Sequence, residues 1–487
     1  MDNVETAGYK KLGLLEFDEK RSGQKFGKKE AVMCLVAIAA FAICCVITLP
    51  GLSAAGTKAL GIVVSTSILY ACAGINSTIV ALLLCMLPIL TGVMDFGTFA
   101  VNVGSSAFLM VMAMMIFATG VVNTNLGKRI TFIFLKGMGK SPVGLVFAFA
   151  ITATVMSALI VTIPVMLILL PIAVGILKEL GEKPGESPLG AALMIIITLC
   201  SSIGGAALIC GSGFNPQGIA ILETLSNGQY TISFAQWAAV GIPIAVIATP
   251  LCAWLVCKLL KVNNKASKEL APSYIDAQLN ELGPMAASEW RFLLTLVLLI
   301  IGFLTTGYTG LKTPVVCLLG CIAVCLPGWG VVNAKQAITE MPWDPIFMCI
   351  GMQIIAVFST STDLATWLCN VLMGWSFGLH ECILLVIAGI ACVLVTLASC
   401  SNPVGIIIPS VVALAAAAGV VPYGLFFAAM FMNSCGPCSV PWFAGTMLTF
   451  GPGYWSYKQM AVCGWVCNIV MSIVCGIAIY FIYPLVF

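Results

Sequence analysis

Charged residues are scarce in this chain of 487 residues. Lys, Arg, Asp and Glu together make up 8% of it, and there is 1 histidine, whereas a soluble domain carries about 25% charged residues. Hydrophobic residues make up 61%. This imbalance excludes a soluble enzyme and predicts a polytopic membrane protein. The net charge of +3 is small, and the basic residues lie in short loops and in the N-terminal arm, so nucleic-acid binding is not expected.

The apolar segments also lack the ionisable groups on which much membrane chemistry depends. Buried carboxylates relay protons in pumps, and paired aspartates cleave peptides in intramembrane proteases. Four segments interrupted by small or polar residues contain no Lys or Arg except at their ends, and no His, Asp or Glu near their centres. These interrupted segments are 142–178, 187–222, 380–418 and 421–450. A proton pump, a protease and, more generally, an enzyme are therefore not expected.

Cysteine is plentiful instead, with 22 residues scattered mostly through apolar runs. Buried thiols behave as small hydrophobic residues, so reduced cysteines that fill the core are expected. Cys435 and Cys438 form a CxxC pair, but redox chemistry at this motif needs a βαβ setting and an accessible helix N-terminus. Its position inside a membrane segment favours packing, and a membrane redox protein stays an alternative hypothesis.

Apolar runs long enough to cross a bilayer divide the chain into two halves. A spanning helix needs about 20 apolar residues, and on this measure the runs predict about eleven spans. The halves are 31–260 and 290–487, and a polar linker, 261–289, joins them. Basic residues are concentrated in the arm at 1–30 and in and just before the linker, so the positive-inside rule places both in the cytoplasm. We expect a multi-pass protein of the cell membrane with a cytoplasmic N-terminus.

The interrupted segments repeat in order and in spacing. Pro171 to Gly211 spans about 40 residues and Pro409 to Gly445 about 36. Irregular backbone at membrane depth survives only where it is buried in protein or lines a cavity. The pattern predicts an all-α, inverted-repeat transporter with two re-entrant hairpins and two broken helices. The hairpins are 142–178 and 380–418, and the broken helices are 187–222 and 421–450.

The run GSGFNPQ, 211–217, is the clearest interruption. Two glycines, an asparagine and a proline in close succession do not continue a helix. Broken helices direct N-terminal amides at anions and C-terminal carbonyls at cations. Hydroxyls, amides and backbone groups are thus left as ligands, and a site without Lys or Arg can still hold an anion in this way, especially beside a co-bound cation. For an isolated small residue such as Ser157, helix packing is the expected role.

Several motifs resemble the divalent-anion/sodium symporter family of the ion-transporter superfamily. SIGGAALICGSGFNPQGI, 202–219, is similar to the family's SIGG…GTPPN break, with Ser212 and Asn215 at the positions of its Thr and Asn. NLGKRITFIFLKGMGKSPVGL, 125–145, resembles the loop before the family's first hairpin. FGPGYWSYKQMAVCGWVCNIV, 450–470, resembles the stretch before its last helix, and ELGPM its central linker. The resemblance covers about residues 78 to 487.

The hairpin tips depart from the family's Ser-Asn-Thr pattern. Counting back from Pro171 places Val161, Thr162 and Ile163 at the first tip. Counting back from Pro409 places Ser399, Cys400 and Ser401 at the second, with Ser401, Asn402 and Pro403 as a shifted alternative. Because the first tip has lost two of three polar side chains, we expect a weaker or different cation dependence.

The resemblance implies one site built from both tips and both breaks. Carried over to this chain, the substrate-binding residues are Thr162, Ile163, Ser212, Gly213, Ser401, Asn402, Pro403 and Gly445. The possible sodium ligands are Gly204, Gly205, Gly211, Asn215, Ser399 and Thr446. Apart from sodium, no cofactor is expected.

The resemblance also implies a homodimer with separate scaffold and transport domains and an elevator-type movement. The expected function is secondary active transport of a small anion, di- or tricarboxylate-like or inorganic. Sodium or exchange for a counter-anion would drive it. An anion channel or passive pore, and a transporter of a different small organic solute, are the alternatives, and saturable counterflow in vesicles separates the pore from a transporter.

Overall fold

The computed structural model describes residues 27–70, 75–263, 272–340, 343–374, 378–399, 403–435 and 444–487. All regular structure in these ranges is helical, which confirms the all-α class. The helices of the first half are α1 (Lys28–Val46), α2 (Ala54–Tyr70), α3 (Ser77–Leu90), α4 (Phe96–Val103), α5 (Ser106–Val122), α6 (Leu126–Met138), α7 (Pro142–Leu159), α8 (Thr162–Glu179), α9 (Pro188–Ala207), α10 (Phe214–Leu225) and α11 (Phe234–Leu259). A short 3₁₀ helix, Ile209–Gly211, lies between α9 and α10.

From the linker onward, the described residues form twelve helices, the first of which belongs to the linker. They are α12 (Pro272–Leu282), α13 (Ala287–Leu304), α14 (Thr306–Thr309), α15 (Thr313–Cys325), α16 (Ala334–Glu340), α17 (Trp343–Ser361), α18 (Leu364–Met373), α19 (Glu381–Ser399), α20 (Pro403–Ala418), α21 (Tyr423–Cys435), α22 (Ala444–Phe450) and α23 (Tyr457–Val486).

Seven helical stretches among the described residues are long and apolar enough to cross a membrane. A bent pair formed by α17 and α18 raises this number to 8. Other apolar runs form helices of 10–17 residues, among them Ala54–Tyr70 and Ser77–Leu90. The prediction of about eleven spans counted apolar runs, and several of these runs correspond to the shorter apolar helices of the described residues.

Equivalent caps begin the last helix of each half. In α11, the Ser233 hydroxyl accepts from the backbone N–H of Gln236 at 3.3 Å, and the side-chain oxygen of Gln236 accepts from the backbone N–H of Ser233 at 2.9 Å. In α23, Ser456 and Gln459 make the same two bonds at 3.4 and 2.8 Å. This capping box satisfies N–H groups that the helix leaves unpaired. α11 and α23 also pack against each other, so the repeat extends to the ends of both halves.

A break between two helices before each hairpin repeats as well. α5 ends at Val122, and α6 begins at Leu126 after a short stretch of Asn and Thr. α17 ends at Ser361, and α18 begins at Leu364 with its axis turned by 85°. In both halves, therefore, a long apolar helix ends in a polar stretch and a new helix begins at a leucine.

The two halves are interleaved rather than side by side. α3 packs against α17, and α5 packs against α15, so each half supplies a partner to the other. α10 lies against α20 of the second hairpin, and α22 lies against α8 of the first. α9 is at the centre, with its entire apolar window buried. This arrangement brings hairpins and broken helices from both halves to one region.

The linker is attached to the first half through Arg129 on α6. Its guanidinium donates to the carbonyls of Gly283 at 2.9 Å and Leu282 at 3.3 Å, and it lies 3.4 Å from the carboxylate of Glu289. Glu289 is 2% exposed and also accepts from the Ala286 amide at 3.1 Å at the start of α13. The end of α12, the start of α13 and α6 thus share one buried ion pair.

Candidate functional site

The first broken helix separates between α9 and α10. Leu208 and Ser212 are extended, with φ/ψ of −129°/154° and −143°/142°, and the 3₁₀ turn lies between them. Gly213 precedes the first residue of α10. The interruption predicted from GSGFNPQ is therefore present, with Ser212 in the extended backbone and Asn215 in the first turn of α10.

Side chains satisfy the carbonyls that this interruption leaves without helical partners. The Asn215 amide nitrogen donates to the carbonyls of Gly205 at 2.7 Å and Leu208 at 2.8 Å. The Trp237 indole on α11 donates to the carbonyl of Ala206 at 3.0 Å. Buried carbonyls at a helix end are costly without such donors. The open end of α9 is held by two buried side chains from two other helices.

The first hairpin reverses beside the same interruption. Ile160 and Val161 are extended, and α8 begins at Thr162. The Ser157 hydroxyl donates to the Thr162 hydroxyl at 3.2 Å, and the Thr162 hydroxyl donates to the Gly211 carbonyl at 3.4 Å. Thr162 therefore connects the hairpin tip to the break. Ser157, for which packing was expected, lies in this cluster and is fully buried.

Glycines allow the tip and the break to approach this closely. A Cβ on Gly204 would collide with the backbone of Thr154. A Cβ on Gly205 would lie 2.6 Å from the Thr162 hydroxyl, and one on Gly211 2.6 Å from the Ser157 carbonyl. Only residues without a side chain permit such close approach. The structure thus brings Thr162, Gly204, Gly205, Gly211 and Asn215 together.

One buried oxygen of this cluster has no hydrogen-bond partner among the residues that the structure describes. Asn215 is fully buried, and its side-chain oxygen is unpaired although its nitrogen makes two bonds. The hydroxyl of Ser201, near the end of α9, is also buried and has no partner in the described part of the chain. A buried acceptor without a donor is rare and requires an explanation, such as an ion or water. The cluster offers oxygen atoms and carries no formal charge of its own.

Ser212 and Gly213 face a small cavity between the break and α5. The cavity is tight, with a volume of about 10 Å³, which is about the space that one water molecule needs. Its lining is largely apolar and includes Met110, Val111, Met114, Val161, Cys210 and Pro216. Ile163 is half-buried one position after Thr162 and is not among the lining residues. The first-half residues therefore divide between a buried polar cluster and the wall of an apolar cavity.

The corresponding region of the second half is described only in part. Ser401 and Asn402 lie outside the described residues, as do Cys438 and the rest of 436–443. Ser399 is the last residue of α19, and Pro403 is the first of α20. Gly445 and Thr446 are buried in the first turn of α22. The Thr449 hydroxyl on this helix lies 2.8 Å from the Thr198 hydroxyl on α9, which ties α22 to the first half.

Three residues of this region were not predicted from the sequence alone. Thr154 and Trp237 contact the break from α7 and α11, which lie far from it along the chain. Gln217 donates from its side chain to the carbonyl of Cys349 on α17. The sequence does contain a signal for Gln217, because a side-chain amide in an apolar segment requires a hydrogen-bond partner. Its partner, however, is set by tertiary packing.

Comparisons with known proteins agree with this architecture. Residues 28–487 match the family model described as the sodium:sulfate symporter transmembrane region. The chain is 24% identical over 375 residues to dicarboxylate transporter 2.2, chloroplastic, of Arabidopsis thaliana, covering 74% of this chain and 67% of that protein. It is 23% identical over 410 residues to the sodium-dependent dicarboxylate transporter SdcS of Staphylococcus aureus (strain USA300), covering 79% and 77%.

A solved structure shares the fold at low sequence identity. The YdaH transporter of Alcanivorax borkumensis superposes with a TM-score of 0.56 at 16% identity, covering 83% of this chain and 98% of that one. This likeness concerns the fold alone. The family match spans both hairpins and both broken helices described above. The chain belongs to the sodium:sulfate symporter family and is a membrane-embedded transport protein, not an enzyme.

Proposed function

We propose that this protein is a secondary active transporter that moves a small anion together with sodium. The observation that carries the proposal is the buried, unpaired oxygen of Asn215 in a helix break closed by a hairpin tip. Such breaks at the centre of two repeated halves are the places where secondary transporters bind substrate and coupling ion. The relatives named as sodium-dependent or dicarboxylate transporters support the same assignment.

Sodium is the coupling ion that fits the first-half cluster. The Asn215 oxygen is a neutral oxygen ligand, and the carbonyls of Gly205 and Gly211 lie within the same close contact between tip and break. A hard cation needs several oxygen ligands to replace its water, and desolvation without them is costly. In the second half, Ser399 and Thr446 are the proposed contributors of further oxygens. Gly204 serves by allowing the close approach rather than by a side chain.

The anion is proposed to bind between the two tips and the two breaks. In the first half Thr162, Ile163, Ser212 and Gly213 form its binding wall, and Gly213 precedes the N-terminal end of α10, where the helix dipole favours negative charge. In the second half the proposed residues are Ser401, Asn402, Pro403 and Gly445. A co-bound sodium ion offsets the negative charge of the substrate, because the described part of the site contributes no positive charge. The substrate class is a di- or tricarboxylate or an inorganic oxyanion such as sulfate.

Transport is proposed to proceed by an elevator-type movement in a homodimer. The hairpins and broken helices would form the transport domain of each half, 31–260 and 290–487, and the earlier spans the scaffold. The arm at 1–30 and the linker at 261–289 are assigned to the cytoplasm of a cell-membrane protein. Interleaved packing supports one rigid unit made from both hairpins, because α10 lies on α20 and α22 lies on α8.

The test is uptake by purified protein reconstituted in liposomes. Radiolabelled succinate and radiolabelled sulfate serve as probes, with an inward sodium gradient and with sodium replaced by potassium. We expect sodium to drive accumulation of at least one probe above its equilibrium level, and unlabelled anion inside to accelerate entry by counterflow. Uptake that only equilibrates, does not saturate and shows no counterflow would instead identify a passive pore.

A further inference from the structure

A groove on the lipid-facing side of α13 is separate from the transport site. It has a volume of about 440 Å³ and lies where α13 passes the loop between α15 and α16. Its lining residues are Trp290, Arg291, Leu293, Leu294, Val297 and Trp329. An arginine and two tryptophans thus line one end of the groove, and its other lining residues are apolar.

The polar end of the groove is held in place by hydrogen bonds. The Trp329 indole donates to the Thr295 hydroxyl at 3.1 Å, which fixes the ring against α13. Arg291 donates through Nη1 to the carbonyls of Gly328 at 2.8 Å and Trp329 at 3.3 Å, and through Nε to the Ala287 carbonyl at 3.2 Å. Its other terminal nitrogen, Nη2, makes no hydrogen bond to the part of the chain that the structure describes, so it can still donate.

The apolar end of the groove follows one stripe of α13. Trp290, Leu294 and Val297 line the groove, and Ile301 continues the same stripe beyond it; they are spaced by 4, 3 and 4 residues and are 58, 46, 42 and 50% exposed. Residues at this spacing lie on one face of a helix. From Trp290 to Ile301 the helix rises about 16 Å, which is close to the roughly 15 Å thickness of one hydrocarbon leaflet. The stripe therefore matches the length of one acyl chain.

The position of the groove along the chain defines its leaflet. Arg291 lies directly after the linker, beside the Arg129–Glu289 pair, and the basic residues of the linker region place that side in the cytoplasm. The cytoplasmic leaflet carries the anionic lipids, and basic pockets between membrane helices on this side bind acidic headgroups. Tryptophan also prefers the headgroup level of the bilayer.

We propose that this groove binds one anionic phospholipid. Its phosphate accepts from Nη2 of Arg291 between the two indoles, and one acyl chain lies along Leu294 and Val297. A headgroup with net negative charge is favoured over a zwitterionic one, because no ammonium group competes with the guanidinium for the phosphate. The single basic residue near the surface contributes about fivefold in affinity, which corresponds to about 1 kcal/mol.

Native mass spectrometry of the purified full chain in detergent tests this assignment. Phosphatidylglycerol and phosphatidylcholine with identical acyl chains are added at equal concentrations. We expect the wild type to retain one phosphatidylglycerol per chain in preference to phosphatidylcholine. Arg291→Gln should reduce this preference about fivefold. Val297→Trp should fill the groove and remove both lipids, while it leaves the hydrogen bonds of Arg291 intact.

Val246→Trp is the matched control, because Val246 is lipid-facing on α11, 66% exposed and not among the groove residues. It should bind lipid like the wild type, and thermal melting confirms that each variant is folded. Equal retention of the two lipids by the wild type would overturn the proposal. Unchanged phosphatidylglycerol binding in Val297→Trp would do so as well. If Val297→Trp instead dissociated a dimer without altering lipid binding, the occupant of the groove would be a second copy of the chain.

Discussion

At the scale of single residues, the side-chain nitrogen and the side-chain oxygen of Asn215 have different functions. The nitrogen holds the carbonyls of Gly205 and Leu208, and the oxygen is left unpaired. A neutral amide can serve both purposes because it is donor and acceptor at once. No hydroxyl or carboxylate of similar size could supply two donors to the break and still present an oxygen on the other side.

Replacement of Asn215 by alanine should abolish sodium-driven uptake. The variant loses the unpaired oxygen and also two bonds, each contributing about 1 kcal/mol to stability, so a lower melting temperature should accompany the loss. Thr152→Val is the matched control, since Thr152 is fully buried and, among the described residues, its hydroxyl bonds within α7, to the Ala148 carbonyl at 2.7 Å. Uptake in liposomes and thermal melting measure both effects. Wild-type uptake by Asn215→Ala would contradict the assignment of this residue.

Gly204 should tolerate no side chain. In Gly204→Ala the new Cβ collides with the backbone of Thr154, which cannot move without separating α7 from α9. We expect a loss of stability of about 1–3 kcal/mol, typical of an overpacked core. Gly137→Ala is the comparison, because Gly137 lies in α6 with no atom within 4 Å of a Cβ. That change should be neutral or stabilising by up to about 1 kcal/mol. The melting temperatures of the two purified variants test this difference, and an equal change in both would refute the steric argument.

At the scale of helices, local composition accounts for where elements end but not for what they touch. Gly211, Asn215 and Pro216 predicted an interruption, and it lies there, because these residues disfavour helix whatever surrounds them. The contacts of Trp237 and Thr154 with the break depend on packing between distant segments, which no local pattern encodes. The second tip at Ser401 and Asn402 lies outside the described residues and stays a prediction.

The ion pair between α6 and the start of α13 should behave differently from an exposed pair. Removal of Arg129 in Arg129→Met leaves the 2% exposed carboxylate of Glu289 unpaired, which costs about 3–5 kcal/mol. Addition of Glu289→Gln should recover part of this loss, since the amide still caps α13. Lys136→Met removes an exposed partner of Asp276, 62% and 47% exposed, and should cost at most about 1 kcal/mol. A double-mutant cycle on melting temperatures measures the coupling, and additive effects of Arg129 and Glu289 would disprove it.

At the scale of the whole molecule, sodium dependence should be shallow. Val161 and Ile163 flank Thr162 at the first tip and supply no side-chain oxygen. The first half therefore offers few side-chain ligands beyond Asn215. We expect one or at most two sodium ions per cycle. Uptake in liposomes as a function of external sodium gives the Hill coefficient, and a value near that of three or more coupled ions would show that backbone carbonyls compensate fully for the missing side chains.

The interleaving of the two halves has a consequence for biosynthesis. α5 ends at Val122, and its partner α15 begins at Thr313, about 190 residues later. At a synthesis rate of about 5–20 residues per second, α5 and the helix break it covers wait roughly 10–40 s for that partner. During this interval the polar groups of the first break have no second half to shield them from lipid. We therefore expect the nascent first half to rely on the insertion machinery or a membrane chaperone until α15 has been made, at about two thirds of the chain.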